Sequence, residues 1–435
     1  MIDDEKNTWR TLVASVALAV LLSAGVAFAC PGDCNDDCQV DVAELVVGIR
    51  IALGEQASNS CLRLDLDASG SVAVDELITA VDVALKGCSH RLAFEPASRY
   101  AVGDSPRSVA AGDLDGDGWV DVVAGNHISD DVSVLLNHSG TFPSEARFPA
   151  GSIPLGIVIA DFDEDGSADI ATANGGSGDV SILLGKGDGS FEVEQRFPAG
   201  AGARSILAAD IDSNESIDLI VGAPGSNGIQ VLLGRGDGAF DRIVIGSGFR
   251  PWWVAWGDVT GDSVADLVTA NAETSDLVIL AGVTAGAFVG HSRLPLAEAP
   301  YSVAISDVDA NGAADLLTGN GIDASVSLLR GLGSGTFSGA INLAVGAGPF
   351  PVHVADIDGD ENLDIVTPNE VSGDVSIRLG NGDATFGTDL RFVVGPSPYA
   401  LALADINRDG TLDLIAATGA VDEITVRVRN RCSLR

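Results

Sequence analysis

Basic residues are the scarcest charged class in this chain. Its 435 residues hold 24 Lys and Arg against 62 Asp and Glu, a formal net charge of -38. That balance repels phosphate backbones and anionic lipid surfaces, so nucleic acid is excluded from the expected partners. Past residue 29 no apolar run is long enough to span a bilayer, so no stable membrane insertion is expected. Histidine is thin: His90, His127, His138, His291 and His353 share no position in the repeat described below. No Ser, Cys or Lys nucleophile motif occurs, nor a Gly-rich phosphate loop ahead of a helix, which argues against catalysis. The low apolar content of a disordered acidic chain is also missing, because 46% of residues are hydrophobic. Excess carboxylate in an apolar-rich chain points instead to stored metal ligands.

The apolar run at 12–22 follows Lys6 and Arg10 and precedes a small-x-small site, Ala27-Phe28-Ala29. Residues 1–29 therefore read as a signal peptide, and the protein is expected to be secreted or held at the cell surface. Acylation of Cys30 as a lipid anchor is the lesser alternative, since Phe28 is bulky just before the cleavage point. The six cysteines, Cys30, Cys34, Cys38, Cys61, Cys88 and Cys432, all follow the signal. An even number in an exported chain favours disulfides, with the pairing open. A zinc site at Cys34 and Cys38 is the rival, weakened by the lack of a second close pair.

The chain is organised around Asp113-Leu-Asp-Gly-Asp-Gly-Trp-Val-Asp121, and this loop recurs seven times, with starts 48 or 49 residues apart. Oxygen side chains fall at positions 1, 3, 5 and 9, a spacing suited to a hard cation such as calcium. The first two copies are Asp113, Asp115, Asp117, Asp121 and Asp161, Asp163, Asp165, Asp169, each with Gly at position 6. The third is Asp210, Asp212, Asn214, Asp218, and the fourth Asp258, Asp262, Asp266 with Thr260 at position 3. Copies five to seven are Asp307, Asp309, Asn311, Asp315; Asp356, Asp358, Asp360, Asp364; and Asp405, Asn407, Asp409, Asp413. Asn214 with Glu215, and Thr260 with Ser263, predict weaker binding in copies three and four. Calcium in so regular a series is expected to be structural.

Two loops of another kind precede the array. Asp33, Asn35, Asp37, Asp41 and Glu44 occupy positions 1, 3, 5, 9 and 12 of the first; Asp65, Asp67, Ser69 and Glu76 occupy 1, 3, 5 and 12 of the second. Each runs into a short amphipathic pattern, 42–53 and 74–86, stopped by Gly54 and Gly87. This pair of loop-helix units, residues 30–90, resembles dockerin modules and more loosely EF-hand pairs. The resemblance implies calcium binding and docking on a partner protein. Cys38 stands where the turn usually has Gly, which weakens the first loop.

Within each repeat of 91–435, four short runs are split by Gly, Asn and Asp turns, as in a propeller blade. The array resembles the FG-GAP or VCBS repeats of integrin-alpha-like proteins, with Gly222-Ala-Pro224 the best remnant of the signature. The resemblance implies an all-β, seven-bladed propeller of four-stranded blades, preceded by the small α-helical module. The last copy stops after its third strand, while 93–103 matches a fourth strand without a blade. That strand is expected to complete the last blade and close the ring.

Six residues before each loop lies the column Arg107, Leu155, Arg204, Trp252, Tyr301, Phe350, Tyr399. It begins the innermost strands, and its members Arg107, Arg204, Trp252, Tyr301, Phe350 and Tyr399 are the candidate ligand face at one channel mouth. The alternative is that these rings pack between blades. Arg235-Gly236-Asp237 is read as hairpin chemistry, since Lys186-Gly187-Asp188 and Asn381-Gly382-Asp383 fill the same column. The expectation is a calcium-binding adhesion or recognition protein for an extracellular protein or glycan. A polysaccharide-active hydrolase or lyase, and a scaffold docked through residues 30–90, are the alternatives.

Overall fold

The computed structural model describes residue 47 and residues 92–226, 228–246, 250–284 and 286–429. The signal peptide, all six cysteines and the N-terminal ligands from Asp33 to Glu76 lie outside the described residues, as do the two expected helices apart from Val47. The chain divides into two compact units, Met1–Glu95 with Arg429–Arg435, and Pro96–Val428. In the first, Phe94 forms an antiparallel bridge with Arg429.

The second unit is a β-propeller of seven four-stranded antiparallel sheets. Blade one is Pro106–Gly112, Asp121–Asn126, Asp131–Leu135 and Glu145–Pro149, from the channel outward. Its second strand is wholly buried and its outermost strand is mostly exposed. The same gradient recurs: all seven second strands, from Asp121–Asn126 to Asp413–Thr418, are buried along their whole length. A strand covered on both faces reads as a continuous apolar run, as Val122-Val-Ala does, because neighbouring blades enclose it.

Apolar clusters fill the gaps between blades. Phe162, Val180 and Ile182 of blade two meet Leu219, Val221 and Phe240 of blade three. Ile406, Ile415 and Ile424 of blade seven meet Val122, Leu135 and Phe142 of blade one, so the ring is closed by the same packing that builds it. Blade seven takes its outermost strand from the other end of the chain. Ser98–Ala101 pairs antiparallel with Glu423–Val426, Arg99 salt-bridges Glu423 at 2.9 Å, and the Val102 N–H donates to the Asp422 carbonyl at 3.0 Å. Blade seven is thereby completed as a four-stranded sheet in the order Ser98–Ala101, Glu423–Arg427, Asp413–Thr418, Pro398–Ala404.

Phe162 is 1% exposed and sits at position 2 of the second acidic loop, edge-on to Phe240 at 5.8 Å. Phe162→Ala should destabilise the ring by about 3–5 kcal/mol, as denaturant unfolding will measure.

Candidate functional site

Each acidic loop joins the innermost strand of a blade to the second, at one end of the channel. Its geometry is set by position 9. Asp121, Asp169, Asp218, Asp266, Asp315, Asp364 and Asp413 have no exposed surface. In every loop one carboxylate oxygen accepts the main-chain N–H of position 2 at 2.7–2.9 Å. In the first six the other oxygen accepts the N–H sixteen residues further on, near or just past the end of the third strand, at 2.6–2.8 Å. A carboxylate holding two amides pins the loop to the sheet it leaves.

Positions 1 and 5 shape the turn. Oδ2 of position 1 accepts the N–H of position 6 at 2.7–3.0 Å in all seven loops. The position-5 Oδ1 accepts the N–H of position 7 at 2.7–2.9 Å. Position 6 is left-handed throughout, and Glu215, Ser263 and Glu361 adopt φ of 73°, 69° and 73° there without being Gly. Such a φ costs a side chain about 1–2 kcal/mol.

In loops one, two, six and seven the position-3 Oδ1 accepts the position-5 N–H at 3.0–3.3 Å; in loops three to five position 3 keeps an oxygen for a ligand. Asp212 Oδ1, Thr260 Oγ1 and Asp309 Oδ1 are buried oxygens with no hydrogen-bond partner among the described residues. In loops one, two, three and five, carboxylates of positions 1, 3 and 9 bring one oxygen each within 4.8 Å of the others; in loop six, Asp356, Asp358 and Asp360 do so. An all-oxygen acidic set with orphaned buried oxygens fits a hard divalent cation. Loop three converges as loops one and two do, because its substitutions, Asn214 and Glu215, lie outside the cluster. Loop five carries a competitor: the Arg330 guanidinium pairs with Asp309 Oδ2. Burial raises Asp309, but the Arg330 hydrogen bond and charge outweigh it and hold the carboxyl below its ordinary value.

At the other mouth the predicted column comes together. Arg107, Leu155 and Tyr399 sit at register shifts of their innermost strands, where a bulge re-aims the side chain. Arg204, Trp252, Tyr301 and Phe350 each donate a main-chain N–H to the second strand of their own blade, at 2.9–3.0 Å. A Cβ on Gly156 would meet the Arg204 carbonyl at 2.4 Å, so only Gly lets blades two and three close here. All seven column residues are half-buried. The Arg107 guanidinium covers Tyr399 at 4.0 Å and Arg204 covers Trp252 at 4.4 Å. Arg204 also reaches Phe350 of blade six at 5.6 Å, while Trp252 and Tyr301 meet edge-on at 5.1 Å. Trp252, Tyr301 and Phe350 form a chain of edge contacts, Tyr301 meeting Phe350 at 6.5 Å, and Trp253 packs on Phe350 at 5.3 Å. Burial, then the charge of Arg107, pushes Arg204 down to about 10.

The FG-GAP-like repeat profile matches residues 113–172, 161–221, 210–269 and 307–367, together half of the chain. The chain belongs to this family. Among curated proteins no match is found. Three solved structures share the fold of these FG-GAP-like repeats. BBS1N, crystallised in complex with ARL6DN and soaked with mercury, is 14% identical with a TM-score of 0.57, covering 79% of this chain and 99% of its own. Virginiamycin B lyase from Staphylococcus aureus is 10% identical with a TM-score of 0.55, covering 77% and 99%. A protein from Lactobacillus plantarum is 14% identical with a TM-score of 0.53, covering 68% and 86%.

Two neighbours of the mouth escaped the column in the sequence of these FG-GAP-like repeats. His127 is lowered by burial and by Arg107, and Tyr399 is raised by burial and by its hydrogen bond with Glu370. Both His127 and Glu370 directly follow the Asn that ends a second strand, Asn126 and Asn369, and that offset was the available signal. A polar knot recurs beside them: Asn126, Asn174 and Asn369 each donate to an Asp five residues on and a Ser seven residues on. Arg235-Gly-Asp237 is a hairpin turn, with the Arg235 N–H on the Ala239 carbonyl and its guanidinium paired with Asp241.

Burial pushes Asp121 and Asp169 up to about 6 and Asp364 up to about 7, and raises Asp218 and Asp315 likewise. A raised folded value means that the native state binds the proton more tightly. The contribution of these groups is full below about pH 4 and is lost as pH rises through 6 to 7. His353, pushed down to about 4 by burial, and His127, lowered by burial and by Arg107, oppose this between pH 5 and 8. In chelator the melting temperature should therefore be higher at about pH 5 than at about pH 8, and a saturating divalent cation should shrink the difference.

Proposed function

We propose that this protein is an exported, non-catalytic recognition module. Calcium in the acidic loops stiffens the ring, and the opposite mouth meets an extracellular ligand. The observation that carries this reading is the division of labour between the two ends. One end repeats the same oxygen-lined loop seven times, and the other gathers a single Arg-aromatic ring from different blades. A loop of one spacing repeated in every blade suits a structural ion, whereas a ring unlike its own repeat suits specificity.

The signal peptide, disulfides among the six cysteines and docking through residues 30–90 belong to the same proposal and rest on the sequence. No helix among the described residues is long and apolar enough to cross a membrane. A glycoside hydrolase would need paired carboxylates across the scissile bond. Glu370, the carboxylate that meets the ring, is instead hydrogen-bonded to Tyr399. Recognition is therefore favoured over hydrolysis or lyase chemistry.

The loops make the calcium part testable on the intact chain. Removal of calcium should lower the melting temperature substantially, and calcium should restore it. Free calcium at a hundredfold above Kd adds about 2.7 kcal/mol per site. Titration calorimetry of the chelated protein will count the sites; an unchanged melting curve in excess chelator would contradict structural calcium. A polysaccharide-depolymerisation assay should give no product, and release of oligosaccharide would overturn the non-catalytic reading.

A further inference from the structure

The mouth carries donors that the protein does not satisfy. Arg107 Nε, Arg204 Nε and Trp252 Nε1 are buried and have no hydrogen-bond partner among the described residues. Buried donors are normally paired, so three in one ring imply an acceptor supplied from outside. The ring also decides the sign of that acceptor. Two guanidiniums already lie on the aromatic faces, so a third cation would meet both repulsion and occupied rings. Of the nearby carboxylates, Glu370 is engaged with Tyr399, and Asp130 accepts the Ile153 N–H at 2.8 Å and the Ser152 hydroxyl at 3.3 Å. In a chain of net charge -38, two arginines gathered at one opening form a local anion site. Arg Nε with a neighbouring Nη is the edge that grips a carboxylate at two points.

The surface around the opening indicates what bears the carboxylate. The turns after the second strands lie at this end, since Asn126 pairs with Pro106 at the start of the innermost strand. Three of these turns present bare aliphatic side chains: Ile128 is 65% exposed, Ile322 75% and Val371 75%. Aliphatic tips around an arginine pair match apolar side chains flanking an acidic one. They offer nothing to the hydroxyls of an acidic sugar.

We propose that this mouth is a receptor for one Asp or Glu side chain presented by an apolar peptide segment of a partner protein, held between Arg107 and Arg204. The proposal rests on the recognition reading above and gives it a ligand class. Entry of the carboxylate draws Arg204 off the face of Trp252 and turns its Nε outward, so binding should alter tryptophan emission.

The test screens a random octapeptide library with amidated C-termini against the calcium-loaded full chain. Selected peptides should hold one Asp or Glu among apolar residues. Changing that residue to its amide should weaken binding about tenfold or more, as should Arg107→Gln or Arg204→Gln. Arg204→Lys, which keeps the charge and loses the planar fork, should fall between. The emission change should vanish in Trp252→Phe. Each variant's melting temperature separates lost binding from lost folding, and the amide substitution in the peptide leaves the protein untouched. Selection of basic peptides, binding that survives both Gln variants, or capture of oligogalacturonate in place of peptides would overturn the proposal while leaving recognition intact. No binding of peptides or glycans of any kind would overturn both.

Discussion

A buried carboxylate that accepts two main-chain N–H groups is the interaction on which this ring depends. Position 9 of each loop places it where the second strand begins. One oxygen holds the loop's position 2; in the first six loops the other holds the chain as it leaves the third strand. The residue whose N–H is held is itself core. Leu114, Phe162, Ile211, Val259, Val308 and Ile406 each lie in a cluster shared with the next blade. Loop conformation and blade-to-blade packing are therefore one variable. A change at positions 1 to 5 reaches the interface through position 2, and a gap in the interface loosens the oxygens above it.

The same device explains why the two ends of the channel differ. At the loop end amides place the carboxylates of positions 1 and 9 in every copy, so five of the loops converge although their residues vary. Arg408 of the seventh loop donates to the carbonyls of Asp117 and Gly118 in the first and lies over Trp119 at 4.2 Å, linking the last blade to the first. At the mouth no such template exists. Each blade contributes whatever residue stands at the start of its innermost strand, and the column is free to diverge into arginine and aromatic side chains.

The blades were legible in the sequence because each is spelled by local chemistry. Alternating acidic residues, a turn and an apolar run lie within one stretch, and the 48- or 49-residue period repeats them. The place of the Arg107-to-Tyr399 column was legible for the same reason, being a fixed offset from each loop. What it does was not legible. Arg204 meets Phe350 because closing the ring brings these side chains of blades three and six together at the mouth, and no offset within one repeat encodes that distance. The second amide held by position 9 depends on strand register near the end of the third strand. Loop three looked poorer by composition, yet its cluster uses Asp210, Asp212 and Asp218, so Asn214 and Glu215 do not enter it. Arg330 on Asp309 is a tertiary pairing that makes loop five unlike its neighbours.

Amide hydrogen exchange across the loops tests the buried-carboxylate account most directly. The N–H groups of Leu114, Phe162, Ile211, Val259, Val308, Ile357 and Ile406 should be among the slowest to exchange, with or without calcium, because a buried carboxylate holds each of them. Those of positions 4 to 6, whose carboxylate partners lie on the exposed side of the turn, should exchange faster than these and slow further if calcium is bound. Fast exchange at the position-2 amides in calcium-free protein would contradict the account.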